Sequence, residues 1–355
     1  MKIEDLRQQI NETDSKIVEL IAQRVRIAEL IGKEKQKLGK QIVDTNREKM
    51  VLSSVRDLSQ NEGIDPDAVA VIYRHIINLA KSVQGIVVAF QGEIGAYSED
   101  AAIQFFGSSI QVKPCKSLQD VFTAVEQGEA QFGIVPIENS LEGSISQVYD
   151  LLLDSSLKVS GEMELRVVHC LIASPNARLD LIKRVYSHPQ ALGQCRAFLN
   201  HLKSEVIPTY DTAGSVKMIK EQGINDGAAI ASARAAEIYG MKILAQEIED
   251  NPNNFTRFFI LSTQESPPTG NDKTSIVFSV KHTPGALFRF LKELANRKIN
   301  LTKIESRPTK QRPWEYNFYL DFEGHYEDEA PKLALDNLTN NSIFVKVLGS
   351  YPKAT

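Results

Sequence analysis

Apolar residues recur at Ile3, Leu6, Ile10, Ile17, Leu20, Ile21, Ile27, Ala28, Ile31 and Leu38, with no proline between them and only Gly32 as a weak breaker. This is a helical period, and it predicts one long helix over residues 3 to about 38. At 1.5 Å per residue such a helix is about 50 Å long. One short domain cannot cover an apolar stripe of that length, so an intertwined dimer is expected. A second helix is expected over about 44–60. A third is expected over about 66–83, opened by Asp65 as N-cap and Pro66 at the first helical position. Residues 1–85 therefore read as an all-α domain.

The pattern changes at Gly85. Ile86-Val87-Val88-Ala89-Phe90 is an unbroken apolar run of strand length, and strands and helices then alternate to about residue 263. Strands are expected at 86–90, 132–136, 165–173, 183–187, 228–231 and 257–262. Helices are expected at 98–106, 117–127, 144–153, 189–201, 212–222 and 232–239. Residues 86–263 thus read as an α/β region large enough for two lobes. A linker follows at 264–273, marked by Pro267, Pro268 and Gly270. Residues 274–355 then read strand 275–281, helix 284–295, strand 300–307, strand 314–321, helix 329–338 and strand 343–348. That β-α-β-β-α-β order is the ferredoxin-like arrangement.

Composition narrows the function classes. The chain has 355 residues, too many for one core. A formal net charge of -4 offers no basic footprint for nucleic acid. Cys115, Cys170 and Cys195 lack metal-ligand spacing, and their odd number argues against a disulfide framework, so a cytoplasmic setting is expected. The N-terminus shows no apolar signal segment, and no apolar run is long enough for a membrane span. No ligand cluster for a metal or organic cofactor stands out, and none is expected.

Arg24 shares a heptad column with Ile3, Ile10, Ile17 and Ile31, where a charge is costly unless it is paired or snorkels outward. Lys35 lies close to three turns further on and shares that face. Arg7 lies about 25 Å from Arg24 along the axis, too far to reach the same ligand within one straight helix. It can reach a site in a dimer partner. The segments Leu6-Arg7, Asp14, Arg24, Gly32-Lys33-Glu34-Lys35, Asp44, Arg47-Glu48 and Gln84 resemble the all-helical class of chorismate mutases. The resemblance implies that Arg24 and Arg7 of the partner subunit bind the two carboxylates of chorismate. It implies that Lys35 and Gln84 hydrogen-bond the ether oxygen, and that Asp44 and Glu48 orient the ring hydroxyl and side chains. Arg47 falls in the same substrate-binding set. Ala80 departs from the family, which often has a serine there to donate to a substrate carboxylate.

The α/β region carries polar clusters at strand ends. Gly92-x-x-Gly95-x-Tyr97-Ser98 reads as a glycine loop with Ser98 capping a helix. Glu138-Asn139-Ser140 leaves a buried strand, and Asp211-Thr212-Ala213 opens a helix whose N-terminus suits an anion. Thr256-Arg257-Phe258 sits on an apolar strand, where the bland reading makes Arg257 a structural ion-pair residue and Thr256 a β-favouring one. Together with Ser187-His188-Pro189-Gln190-Ala191-Leu192, these segments resemble prephenate dehydratases. The resemblance implies two α/β lobes like those of periplasmic binding proteins, with the site in the cleft between them. Thr256 would donate to the departing ring hydroxyl. Ser98, the Glu138-Asn139-Ser140 and Thr212-Ala213 turns, Arg257 and Phe258 would hold prephenate.

Thr283-Pro284-Gly285-Ala286-Leu287-Phe288 and Leu301-Thr302-Lys303-Ile304-Glu305-Ser306-Arg307-Pro308 resemble the phenylalanine-binding motifs of the ACT regulatory domain. By that resemblance Gly285 admits the amino acid backbone and Ala286 and Leu287 line the ring pocket. Glu305 and Ser306 then cover it across a dimer interface. The expectation is a homodimer or higher homo-oligomer that acts on chorismate and prephenate and is inhibited by L-phenylalanine. Three rivals stay open: a ligand-binding protein without catalysis, a helical domain that only dimerises, and arogenate in place of prephenate.

Overall fold

A computed structural model describes residues 3–37, 45–82, 85–309 and 315–354. It divides into two compact units, Met1–Val87 with Phe106–Gln111 and Val88–Phe105 with Val112–Thr355. The first unit contains α1 (Ile3–Lys37), α2 (Thr45–Asn61) and α3 (Pro66–Ser82), as the apolar period dictates. The Asp65 carboxylate accepts from the Asp67 amide at 3.0 Å and caps α3. Val55, Ala70, Ile77 and Ala80 are buried, whereas Ile10 and Ile17 of α1 are 59% and 49% exposed. Most of the stripe's described residues are therefore exposed. Among the described residues no helix is long and apolar enough to cross a membrane.

The second unit begins with a lobe built from β1 (Val87–Gln91), α4 (Tyr97–Phe106), β2 (Gln111–Cys115), α5 (Leu118–Glu126), β3 (Phe132–Asn139), β4 (Gly143–Ser144), α6 (Ser146–Asp154) and β5 (Lys158–Arg166). The chain then builds a second lobe from β6 (Cys170–Ala173), β7 (Arg184–Ser187), α7 (Pro189–Gly193), α8 (Arg196–Leu202), β8 (Glu205–Pro208), α9 (Thr212–Gln222), β9 (Gly227–Ala231), α10 (Ala233–Tyr239) and β10 (Lys242–Ala245). It returns to the first sheet as β11 (Phe255–Ser262). The sheets run β2-β1-β3-β11-β5 and β10-β6-β9-β7-β8. The returning strand β11 is antiparallel to both its neighbours, β3 and β5.

Two expected elements are corrected. The single strand over 165–173 is the end of β5, a crossing at 167–169 and the whole of β6, because the apolar run passes from one sheet to another. The helix over 189–201 is interrupted between α7 and α8, where Gln194 caps α7. Strands β2, β4, β8 and β10, and β5 before residue 165, had no counterpart among the expected strands; β5 and β8 carry exposed polar positions that blur the apolar signal.

The C-terminal part is β12 (Asp272–Ser279), α11 (Ala286–Asn296), β13 (Leu301–Pro308), β14 (Tyr316–Glu323), α12 (Glu329–Asn341) and β15 (Phe344–Pro352). Its sheet order β13-β14-β12-β15 is the ferredoxin-like one, with Phe278, Phe290, Leu320 and Phe322 in its core. The other face of this sheet lies on the first lobe. Gly349 permits the closest approach there, since a Cβ at this position would lie 2.1 Å from the Val159 carbonyl oxygen of β5. The molecule thus combines an all-α domain, a two-lobed α/β domain and a ferredoxin-like α+β domain.

Candidate active site

The centre of the second unit is the pairing of β3 with β11, which sets Asn139 opposite Thr256 and Glu138 opposite Arg257. Successive strand residues face opposite ways, so these two pairs serve opposite faces of one sheet. Asn139 and Thr256 are both buried. The Asn139 carboxamide nitrogen donates to the Thr256 hydroxyl at 3.1 Å, to the Asn254 side-chain oxygen at 2.8 Å and to the Phe255 carbonyl at 3.2 Å. Its oxygen accepts from the Leu141 and Glu142 amides, each at 3.0 Å. Ser140 fastens the same turn, donating to the Asn253 carbonyl and accepting from the Phe255 amide, each at 2.9 Å.

A row of buried polar groups continues from Asn254 into the second lobe. The Asn254 amide nitrogen donates to Gln194 Oε1 at 2.9 Å, and His169 Nε2 lies 2.9 Å from the same oxygen. His169 Nδ1 lies 2.8 Å from the Tyr97 hydroxyl. Burial lowers the His169 pKa, against the opposing influence of Gln194 and Glu249, so the ring is neutral. Gln194 Nε2 is buried with no hydrogen-bond partner among the described residues. Since the Thr256 hydroxyl accepts from Asn139, its own proton points elsewhere. Among the described residues it donates to no group. Such a hydroxyl keeps a proton available for donation.

The glycine loop joins the lobes. Gly95 has φ 93, and a Cβ there would lie 3.0 Å from Ala235 Cα at the start of α10. Ser232 donates to the Gly95 carbonyl and Tyr239 to the Ile94 carbonyl, each at 2.9 Å. Across the same seam Glu93 pairs with Lys217 at 3.0 Å. Thr212 and the fully buried Ala213 form the first turn of α9, capped by Asp211, which accepts from the Gly214 amide at 2.7 Å. Ser98, expected as a helix cap, lies inside α4, which starts at Tyr97.

Other residues expected beside Thr256 lie elsewhere. Arg257 pairs with Glu162 and with Asp321 of β14, each at 2.7 Å, and donates to the Tyr351 hydroxyl at 3.2 Å. Glu138 pairs with Lys303 of β13 at 2.6 Å. Strand alternation turns both away from Thr256 and toward the ferredoxin-like domain. Phe258 is a buried core residue.

In that domain Gly285, with φ 76, precedes α11, and Ala286 and Leu287 line a pocket with Thr283, Tyr316 and Phe318. Glu305, expected over this pocket, accepts from the Ser144 hydroxyl of β4 at 2.9 Å within the same chain. Ser306 is exposed and paired in register with Phe318.

In the helical unit Arg24 is half-buried and donates to the Ile76 carbonyl at 3.4 Å. Arg7 and Arg47 are exposed, Glu48 is half-buried, and Ala80 is 6% exposed. Asp44, Gln84 and the side chain of Lys35 lie outside the described residues.

The sequence reading missed His169 and Gln194 and gave Asn254, which opens the Thr256 segment, no role. A lone histidine in the run Val167-Val168-His169-Cys170-Leu171 was the available signal for the first; nothing local marked Gln194.

Comparison with known proteins gives three family matches: chorismate mutase type II over residues 6–85, prephenate dehydratase over 88–266 and the ACT domain over 274–337. A bifunctional chorismate mutase/prephenate dehydratase from Aquifex aeolicus is 39% identical, covering 99% of this chain and 98% of its own. The arogenate dehydratase/prephenate dehydratase 2 of Arabidopsis thaliana is 44% identical over 76% of this chain and 73% of its own. Among solved structures, a prephenate dehydratase from Arthrobacter aurescens in complex with L-Phe is 33% identical with TM-score 0.70, covering 76% of this chain and 90% of its own. A chain described as GqqA, a quorum quenching acylase, is 36% identical with TM-score 0.71, covering 76% of this chain and 98% of its own.

Proposed function

The chain belongs to the bifunctional chorismate mutase/prephenate dehydratase family, and from that membership we propose how its residues divide the work. The enzyme rearranges chorismate to prephenate, dehydrates and decarboxylates prephenate to phenylpyruvate, and is controlled by phenylalanine through its ACT domain. We assign the mutase to residues 1–85, the dehydratase to 86–263 and the sensor to 274–355.

The [3,3] rearrangement needs neither nucleophile nor acid. It needs a folded conformer and donors for charge building on the ether oxygen. Arg24 and Arg7 of the partner subunit take the two carboxylates, and Lys35 and Gln84 act as the donors. Arg47, Asp44 and Glu48 orient the substrate. The exposed apolar stripe of α1 supports a homodimer or higher oligomer, and the three free, buried cysteines support a cytoplasmic setting. Arg24→Ala should abolish mutase activity and spare the dehydratase. Mixed Arg7→Ala and Lys35→Ala subunits should regain part of the mutase rate, because one site of each mixed dimer is intact.

In the dehydratase step the ring C–O bond breaks and the hydroxyl takes a proton to leave as water. The bond to the ring carboxylate breaks as CO2, and its electron pair completes the aromatic ring. Aromatisation drives the reaction, so one poor leaving group is what the protein must assist. The observation that carries this reading is the Asn139–Thr256 hydrogen bond, which leaves the Thr256 proton free to be donated. The turns at Asn139-Ser140 and Thr212-Ala213, with Ser98, surround the substrate. Prephenate is favoured over arogenate because the same chain carries the domain that makes prephenate. Incubating the full-length protein with chorismate, with and without phenylalanine, tests the reading: prephenate and then phenylpyruvate should appear, and phenylalanine should suppress the second. Phenylalanine formed from arogenate at a higher kcat/KM than phenylpyruvate from prephenate would reverse the substrate assignment.

A further inference from the structure

The chain crosses between the dehydratase lobes at 167–169 and again at 246–254. The crossings run side by side. The Val167 amide donates to the Asn254 carbonyl at 2.8 Å, the Ile248 amide to the His169 carbonyl at 3.1 Å, and the His169 amide to Glu249 at 3.0 Å. His169 therefore sits where the lobes join, 2% exposed, with its ring edge-on to Tyr97 at 5.6 Å between centroids.

The hydrogen bonds of this ring have one consistent sense. Gln194 Oε1 can only accept, so His169 Nε2 carries the hydrogen in that contact. On a neutral ring Nδ1 is then an acceptor, and it lies 2.8 Å from the Tyr97 hydroxyl, whose single proton it shares with the Val168 carbonyl, also 2.8 Å away. Donors from His169 and Asn254 converge on Gln194 Oε1 and fix that carboxamide. The orientation of Gln194 fixes Asn254, which turns its oxygen to Asn139, and Asn139 ends on the lone pair of Thr256. Reversing any one amide would set donor against donor in a buried place, which is costly. The row draws on both lobes and on both crossings, so it is in register only when the lobes are together.

We propose that His169 is a positioning residue for the dehydratase step: its Nε2–H holds Gln194, and through Asn254 and Asn139 it keeps the Thr256 proton aimed at the leaving hydroxyl. The proposal rests on the reading of Thr256 as the donor. A core histidine that merely fills space would need its volume but not its reach, and that difference can be tested.

The test uses the full-length protein with prephenate as substrate, with the mutase rate and melting temperature of each preparation as folding controls. His169→Gln carries an amide donor to where Nε2 stands, whereas His169→Asn is equally polar but too short. The expected result is a kcat near wild type for His169→Gln and lower by on the order of 10²-fold for His169→Asn, with similar KM and mutase rates. Equal kcat in the two variants, or a loss confined to KM, overturns the proposal. If His169→Asn does not fold, Tyr97→Phe carries the test. Without the tyrosine hydroxyl the ring loses the group 2.8 Å from Nδ1 that holds its other edge, so kcat should fall several-fold, and an unchanged kcat overturns the proposal. Thr256→Val separates the two readings. Wild-type dehydration in that variant removes the premise, whereas its inactivity alongside equal His169→Gln and His169→Asn rates removes only the role of His169.

Discussion

The two faces of the β3–β11 pair use neighbouring residues for opposite purposes. On one face Asn139 and Thr256 form a neutral hydrogen-bonded pair, joined to a row of amides and leaving one hydroxyl proton unused. On the other, Glu138 and Arg257 are spent on ion pairs with the sensor domain, through Lys303 and Asp321. The first face leaves a donor unused, the one we propose for the substrate. The second leaves nothing in reserve and joins two domains. Because each motif pair is adjacent in sequence, any shift the sensor imposes on Glu138 or Arg257 acts one peptide away from Asn139 or Thr256. This is a short path from effector to chemistry, built from strand alternation alone.

The comparison is broken most severely on the substrate face. Thr256→Val keeps the β-branched shape and removes the hydroxyl, so phenylpyruvate formation should fall by on the order of 10³-fold, while the mutase rate and melting curve stay near wild type. Dehydration at the wild-type rate would show that the reserved proton is not used.

On the sensor face the cost should appear as stability. Arg257 is 11% exposed, and its removal leaves Glu162 and Asp321 as buried carboxylates without their main cation. Arg257→Met should destabilise the second unit by about 3 kcal/mol. Denaturant unfolding followed through the dehydratase domain measures this, and adding Glu162→Gln should recover part of the loss.

Lys303→Met sharpens the contrast with a smaller change. Its partner Glu138 is 37% exposed, so the pair contributes at most about 1 kcal/mol. Basal dehydration should be nearly unchanged, while the phenylalanine concentration for half-inhibition shifts a few-fold. No shift would mean that the sensor acts by another route.

The smallest expected effect is on acid stability. Burial raises the Glu162 pKa, but Arg257, Lys273 and the Ala354 amide outweigh it and hold the carboxyl below its ordinary 4.5. A depressed folded value means the stabilisation is fully present above pH 4.5 and is lost as pH falls through the lower folded value. Melting temperatures measured downward from pH 6 should therefore drop less steeply in Glu162→Gln than in wild type.

Much of this architecture was legible in the chain itself. The apolar period fixed the three N-terminal helices, the change at Gly85 marked the α/β region, and the β-α-β-β-α-β order marked the sensor. Asn139 and Thr256 stood out together only through the resemblance to prephenate dehydratases; taken singly, their segments read as an ordinary turn and a β-favouring strand. Sequence alone also determined that Arg7 and Arg24 cannot share a ligand within one helix, since a rise of 1.5 Å per residue is a local property.

Tertiary structure decided what depends on partners distant in the chain. Whether Glu138 and Arg257 join their neighbours at the substrate or turn to the sensor is set by pleat and register, and adjacency in sequence is blind to that. Expecting one strand over 165–173 failed because hydrophobic residues there serve two different sheets, and the crossing between them carries no local mark. Gln194, His169 and Asn254 lie up to 85 positions apart, and ordinary-looking polar residues became one buried row only when the two crossings were laid side by side. Hydrophobic patterning is written residue by residue, whereas the pairing of buried donors with acceptors exists only once the lobes have met.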